Sequence, residues 1–325
     1  GGAILILSID FWAIEDKENT TDSLEIEPKG FKVMHILDEN GDPMEIDLTD
    51  DHPETLSETM QELHNRVHFY LYTKKTGLIK PQALLVNDVA TLKASDFNPK
   101  RSTKIVLHGW INSFRSRACT SHGDYNVIVV DWSAISHGPY VWASNRVLMI
   151  GEYISKMIDF LETQGMSLSQ LTIVGHSLGA HIAGLSAHYA KTLDPALPEF
   201  LTAIPGKRVS RDDAKYVQVI HTNGGHLGYL GPLGHADFYP NGGMKQPGCL
   251  IDIGGSCSHA RSFEYFAESL NSDTGFLAAR CGTYVEFVMG MCQSETAFMG
   301  EAEPKFNVKG KYYLNTRVLP PFGLV

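Results

Sequence analysis

Residues Leu171 to His181 read LTIVGHSLGAH, an apolar run that breaks into Gly175-His176-Ser177-Leu178-Gly179 and then opens a helix rich in small residues (Ala180, Ala183, Gly184). A serine flanked by glycines at positions −2 and +2 fits a turn between strand and helix that is too sharp for side chains on either side. Such a turn lifts the Ser177 hydroxyl to the start of a helix, where unpaired N–H groups and the helix dipole favour developing negative charge. The chemistry implied is acyl transfer through a serine nucleophile.

A hydroxyl attacks a carbonyl only when an imidazole removes its proton, and the imidazole needs a carboxylate to fix its tautomer. In α/β-hydrolase topology these partners follow in the order Ser, Asp or Glu, His. Acid candidates after Ser177 are Asp194, Asp212, Asp213, Asp237 and Asp252. Asp194 lies in Leu193-Asp194-Pro195-Ala196, where the proline ends a strand, and it is selected as the acid. Asp213 and Asp237 sit in polar contexts that suit caps and turns. Among the histidines, His176 lies within the elbow and points away from the nucleophile, while His221, His226 and His235 follow or approach strand ends. His259 stands just after Cys257, before an expected helix start at Ala260-Arg261-Ser262, and is selected as the base.

The positioning elements alternate. Strands are expected over 67–73, 104–107, 126–131, 171–174 and 216–221, with an amphipathic helix over 147–161. Short β-branched runs separated by helices predict an α/β-hydrolase fold with a mostly parallel central sheet and flanking helices. His108-Gly109-Trp110, Asp131-Trp132 and Ser177 all fall at strand carboxyl ends, where such sheets bind ligands. Residues 1–61 form an acidic N-terminal extension and residues 62–325 the hydrolase domain. Within the extension, Ala3–Leu7 is read as an edge strand, and Phe31–Leu37 with Met44–Leu48 as a hairpin around Asn40-Gly41-Asp42-Pro43. Between Ser177 and Asp194 a helix, a turn and a further strand must fit, which is unusually tight unless the chain lacks residues between Ala187 and Leu193.

The formal charge of −10 and the absence of a basic run argue against a nucleic-acid partner. No stretch approaches the roughly 20 apolar residues of a spanning helix. The chain starts with Gly, as expected of a processed form. Cys249 with Cys257 and Cys281 with Cys292 suit short disulfide loops; neither has zinc-site spacing, and Cys119 is left over. Asn19-Thr20-Thr21 is an N-glycosylation sequon. All three features point to secretion.

Together with Asp213-Ala214-Lys215-Tyr216-Val217, His235-Ala236-Asp237-Phe238-Tyr239-Pro240-Asn241-Gly242-Gly243 and Cys257-Ser258-His259-Ala260-Arg261-Ser262, these motifs resemble the animal pancreatic-type lipase family, most closely its insect phospholipase A1-like branch. The resemblance runs from about Val67 to the end. It implies a triad of Ser177, Asp194 and His259, with an oxyanion hole from the backbone N–H groups of Trp110 and Leu178. No cofactor is implied. Only Leu250 to Ser256 lie between Cys249 and Cys257 where larger members carry a long lid, and the His226–Gly234 loop is also short. In this family both accompany phospholipase A1 specificity, although some short-lid members take neutral lipids. Pro205 and Ser210 stand where calcium ligands would be needed, so no metal is expected. The family's C-terminal lipid-binding β-sandwich is expected to be missing. The substrate is then a lipid ester or lipid surface, with a yolk or storage protein on a lipase scaffold as the alternative, retained in egg.

Overall fold

A computed structural model describes residues 3–7, 33–37, 43–47, 60–77, 80–111, 124–189, 208–250, 252, 255–271, 275–301, 303 and 305–324. Its strands are β1 (Ala3–Leu7), β2 (Val33–Leu37), β3 (Pro43–Asp47), β4 (His68–Tyr72), β5 (Gln82–Leu84), β6 (Thr103–Leu107), β7 (Asn126–Asp131), β8 (Leu171–His176), β9 (Tyr216–Ile220), β10 (Ala236–Pro240), β11 (Leu277–Arg280), β12 (Thr296–Phe298) and β13 (Gly310–Leu314). The α-helices are α1 (Met60–Leu63), α2 (Val89–Ala94), α3 (Ser133–Ser136), α4 (Tyr140–Ser144), α5 (Val147–Thr163), α6 (Leu178–Tyr189), α7 (Ser256–Asn271) and α8 (Tyr284–Val288).

Among the described residues, eleven strands form one sheet in the order β12-β11-β13-β10-β9-β1-β8-β6-β7-β4-β5. From β13 to β7 every neighbouring pair is parallel. Both edges are antiparallel, β4 and β5 at one side and β11 and β12 at the other. The sheet is therefore mixed, with the expected parallel arrangement confined to its interior. A short connection explains the outermost pair on one side: the residues between β4 and β5 suffice for a reversal but not for the crossover that parallel pairing needs. The hairpin read near Asn40 forms as β2 paired antiparallel with β3, in register Leu37 with Pro43.

Successive residues of the central strands feed opposite faces, as pleating requires. Ile173, Val217 and Val219 join a core with Ile150, Ile154 and Leu185 of α5 and α6. Val174, Tyr216 and Ile220 join another with Tyr265 and Phe266 of α7. Helix α5 approaches α6 closely at Gly151, where a Cβ would lie 2.9 Å from that of Leu185.

One expectation is overturned. Ala3–Leu7 is no edge strand: β1 lies in the sheet interior, pairing with β8 from Ala3–Thr172 to Leu7–His176 and with β9 from Ala3–Tyr216 to Leu7–Ile220. The cause is spacing. Helix α6 extends to Tyr189, leaving only residues 190–193 before Asp194, too few for a turn and a full strand. The N-terminal apolar run takes the place beside β8 instead.

Gly151→Val should force α5 away from α6 and cost about 1–3 kcal/mol, seen as a lower urea midpoint at unchanged slope.

Candidate active site

Strand β8 delivers the chain to Ser177, whose φ is +55°, and α6 begins at the next residue. A left-handed conformation costs a residue with a Cβ roughly 1–2 kcal/mol, and strain of this kind collects at functional sites. The surroundings leave the chain little choice. A Cβ on Gly175 would lie 2.1 Å from the Gly179 carbonyl oxygen, and one on Gly179 would lie 2.4 Å from that of His108. A Cβ on Gly109 would approach the Ser177 Cβ to 2.9 Å. Gly175 and Gly179 are thus required by contact with backbone, and the His108-Gly109-Trp110 loop is seated against Ser177.

Strand β7 supplies the clamp for that loop. Fully buried Trp132 donates its indole N–H to the His108 carbonyl at 3.0 Å and its ring stacks on the His108 imidazole, centroids 5.2 Å apart. The Trp132 backbone N–H donates to His108 Nε2 at 3.2 Å, while His108 Nδ1 lies 2.8 Å from the Gly109 carbonyl. These partners require the neutral Nδ1–H tautomer of His108. Burial works to raise the Asp131 carboxyl, but hydrogen bonds from Ser133, whose backbone N–H donates at 3.0 Å, hold it below the ordinary carboxylate range. Trp110, the next residue, is fixed by its indole donating to the Gly138 carbonyl at 2.8 Å and by edge contact with Tyr140. The pairing of His108-Gly109-Trp110 with Asp131-Trp132 was legible only as two motifs at strand ends; that the second holds the first was not.

His259 lies within the first turn of α7, which begins at Ser256, rather than before the helix as expected. Asp252 accounts for the earlier start: its carboxylate accepts from the backbone N–H groups of Cys257 at 2.8 Å and Ser258 at 3.2 Å, capping the helix inside the disulfide loop. The Cys249–Cys257 bridge closes that loop, and a second bridge joins Cys281 to Cys292. The His259 ring packs on that of His176, centroids 4.5 Å apart. His176 therefore faces the catalytic-histidine candidate, its ring bounded on another side by Phe263 at 5.3 Å. The structure thus brings Ser177, the Gly109–Trp110 loop, Leu178 and His259 to one end of the parallel strands. Asp194, the selected acid, lies outside the described residues, as do Asn19, Cys119 and Pro205.

The other candidates have structural duties. Asp213 forms a capping box with Ser210, accepting from the Ser210 N–H at 2.8 Å and its hydroxyl at 3.0 Å. Ser210 is thus engaged in a cap. Asp237 is not a turn residue but a buried member of β10. It accepts from the N–H groups of Leu233 at 2.8 Å and Gly234 at 3.1 Å and pairs with His221 Nε2 at 3.0 Å. His235 accepts from the Val217 N–H at 3.1 Å. Gln246, which sequence reasoning passed over, is a hub: its amide donates to the Thr222 and Pro240 carbonyls at 2.9 and 3.0 Å. Its Oε1 accepts from Asn241 and Tyr265, and its backbone N–H donates to Ser258 Oγ at 2.9 Å, one residue from His259.

A serine in a left-handed turn between a parallel strand and a helix, with helices on both sheet faces, defines an α/β-hydrolase. The particular family follows from comparison: the lipase family model matches residues 32–322, and the chain belongs to the lipase family. Phospholipase A1 member A of Rattus norvegicus is 36% identical over 229 residues, 64% of this chain and 50% of that protein. Inactive pancreatic lipase-related protein 1 of Canis lupus familiaris is 32% identical over 293 residues, 76% of this chain and 62% of that protein. Pancreatic triacylglycerol lipase of Myocastor coypus is 30% identical over 294 residues, 76% of this chain and 64% of that protein. The chain thus spans about half to five-eighths of these relatives' length.

Two outcomes follow from these contacts. Gln246→Leu removes the donor to the buried Thr222 carbonyl and one of two donors to that of Pro240, and should cost about 1–3 kcal/mol, read as a lower unfolding midpoint. Burial depresses three imidazoles: His176 well below the ordinary value, with further lowering by His259 and His108; His181 to about 3, aided by Arg208; and His259 to about 4, against the opposing pull of Asp252. All three are neutral when folded but take up protons when unfolded below about pH 6.5. Stability should be full above that pH and fall as pH drops toward 4. His181→Gln should make the pH dependence of the unfolding midpoint shallower.

Proposed function

We propose that this protein is a lipid ester hydrolase of phospholipase A1 or neutral-lipid type, acting through Ser177, His259 and Asp194. The observation that carries this reading is the serine at φ +55° pressed against Gly109, with the His259 ring packed on that of His176, the residue before the serine. In the proposed reaction Ser177 Oγ attacks the ester carbonyl as His259 takes its proton. The backbone N–H groups of Trp110 and Leu178 receive the oxyanion, each donor contributing about 3–4 kcal/mol. His259 then protonates the departing alcohol. Water, deprotonated by His259, attacks the acyl-enzyme, and release of the fatty acid regenerates the serine. Asp194 would hold the imidazole tautomer throughout.

Phospholipid is favoured as substrate by the short Cys249–Cys257 loop, which encloses only residues 250–256. The relative named phospholipase A1 member A is consistent with this preference. We place the hydrolase domain at residues 62–325, completed by β1 from the acidic segment before it. Two disulfides fit an oxidising, extracellular setting.

Ser177 should label rapidly with a fluorophosphonate probe, and Ser177→Ala should lower fatty-acid release from diacyl phosphatidylcholine or triacylglycerol by about five to six orders of magnitude. Slow labelling with no release from either lipid would favour a storage role instead. Trp132→Phe, which keeps the ring but removes the donor to the His108 carbonyl, should lower kcat with little change in KM if the loop supports the oxyanion.

A further inference from the structure

We propose that the loop closed by Cys281 and Cys292 is a rigid apolar anchor that seats this protein on an electrically neutral lipid surface. The proposal rests on the lipid ester reading above for the identity of the occupant, and on the following geometry for its place.

Residues 281–292 read CGTYVEFVMGMC, with no basic residue and a single acid. That acid is turned inward: Glu286 accepts from the Gly282 N–H at 2.8 Å and the Thr283 N–H at 3.3 Å, completing a capping box at the start of α8. The helix is stopped by Gly290 at φ +69°, and the Met291 N–H donates to the Glu286 carbonyl at 2.9 Å. Cap, stop and disulfide together fix a short helix that could not persist alone. Its inward side is aromatic: the rings of Tyr284 and Phe287 lie 6.0 and 6.2 Å from that of Tyr313.

The outward side is the unusual part. Val285, Val288, Met289 and Met291 are 60%, 67%, 65% and 60% exposed. Four large apolar side chains held outward on a braced loop form the kind of contiguous patch that marks an interaction site. The patch leads toward the candidate active site. A Cβ on Gly242 would touch the Tyr284 ring at 2.9 Å, exposed Met244 follows two residues on, and Gln246 then bonds Ser258 beside His259.

Charge selects the surface. With a net charge of −10 and no cation in the loop, an anionic bilayer repels the protein. A zwitterionic or uncharged lipid surface accepts the apolar side chains without an electrostatic penalty, and seating here would present the adjoining cleft to lipid.

The test uses the full chain carrying Ser177→Ala, so that vesicles stay intact, with co-sedimentation on phosphatidylcholine vesicles and on vesicles containing phosphatidylglycerol. Adding V288D and M289D should lower the phosphatidylcholine partition coefficient about tenfold or more, and the unsubstituted loop should bind phosphatidylglycerol vesicles less well at low salt than at high. With Ser177 restored, V288D/M289D should hydrolyse a soluble short-chain ester as the parent does. Should the aspartates lower the unfolding midpoint, V285S/M291S replaces them with the same expectation. Unchanged partitioning overturns the proposal. So does a dimer in sedimentation that V288D/M289D dissociates without any vesicle binding, since a second copy would then cover the patch. If partitioning falls as expected while even the parent leaves every ester intact, the anchor stands and the catalytic reading fails.

Discussion

Everything at the centre of this molecule depends on backbone meeting backbone without side chains between. The turn after β8 closes only because Gly175 and Gly179 leave no Cβ in the way, and the carbonyl of His108 fills the space that a side chain at position 179 would need. Ser177 and the His108-Gly109-Trp110 loop are therefore not two features that happen to be near each other. They are the two walls of one contact, and a displacement of either is felt directly by the other. Preorganisation of this kind lets fixed dipoles act without rearranging during reaction. Trp132 secures the second wall, because a buried indole that donates to the loop's own carbonyl gives that loop one stable height.

A different logic governs the opposite flank. Helix α7 is held where it starts by buried and half-buried polar groups: Asp252 on its first N–H groups, Ser258 accepting from Gln246, and Gln246 on the ends of β9 and β10. Buried polar groups are costly when unpaired and specific when paired. They fix the azimuth of α7, and with it the position of His259, more tightly than apolar packing alone would. The neighbouring imidazole of His176 adds a second neutral ring to this dry environment, which favours the form of His259 able to accept a proton.

Much of this was legible before any coordinates. The β-branched runs marked β4, β6, β7, β8 and β9 within a residue or two, the spacing of Val147, Ile150, Ile154 and Leu161 marked α5, and glycine flanking marked the elbow. Both disulfides were readable from short spacing in loop-like context. Other features were not legible because they depend on partners distant in sequence. Asp237 looks like a turn residue until His221 and the Gly234 N–H are brought to it. Gln246 has no local pattern that marks it, since its side-chain amide and backbone N–H bond five different residues. The antiparallel pairing of β4 with β5 follows from a connection length that hydrophobic pattern does not report.

The seating of β1 has its own consequence for how the chain is made. Its partners at Thr172 and Tyr216 lie 172 − 3 = 169 and 216 − 3 = 213 positions downstream of Ala3. During synthesis β1 must wait for both partners to be made before it can pair. Closing so long a loop is slow compared with local contacts. The middle of the sheet is thus finished late, by an apolar segment left exposed in the meantime, and its protection in that interval falls to whatever chaperones attend the nascent chain.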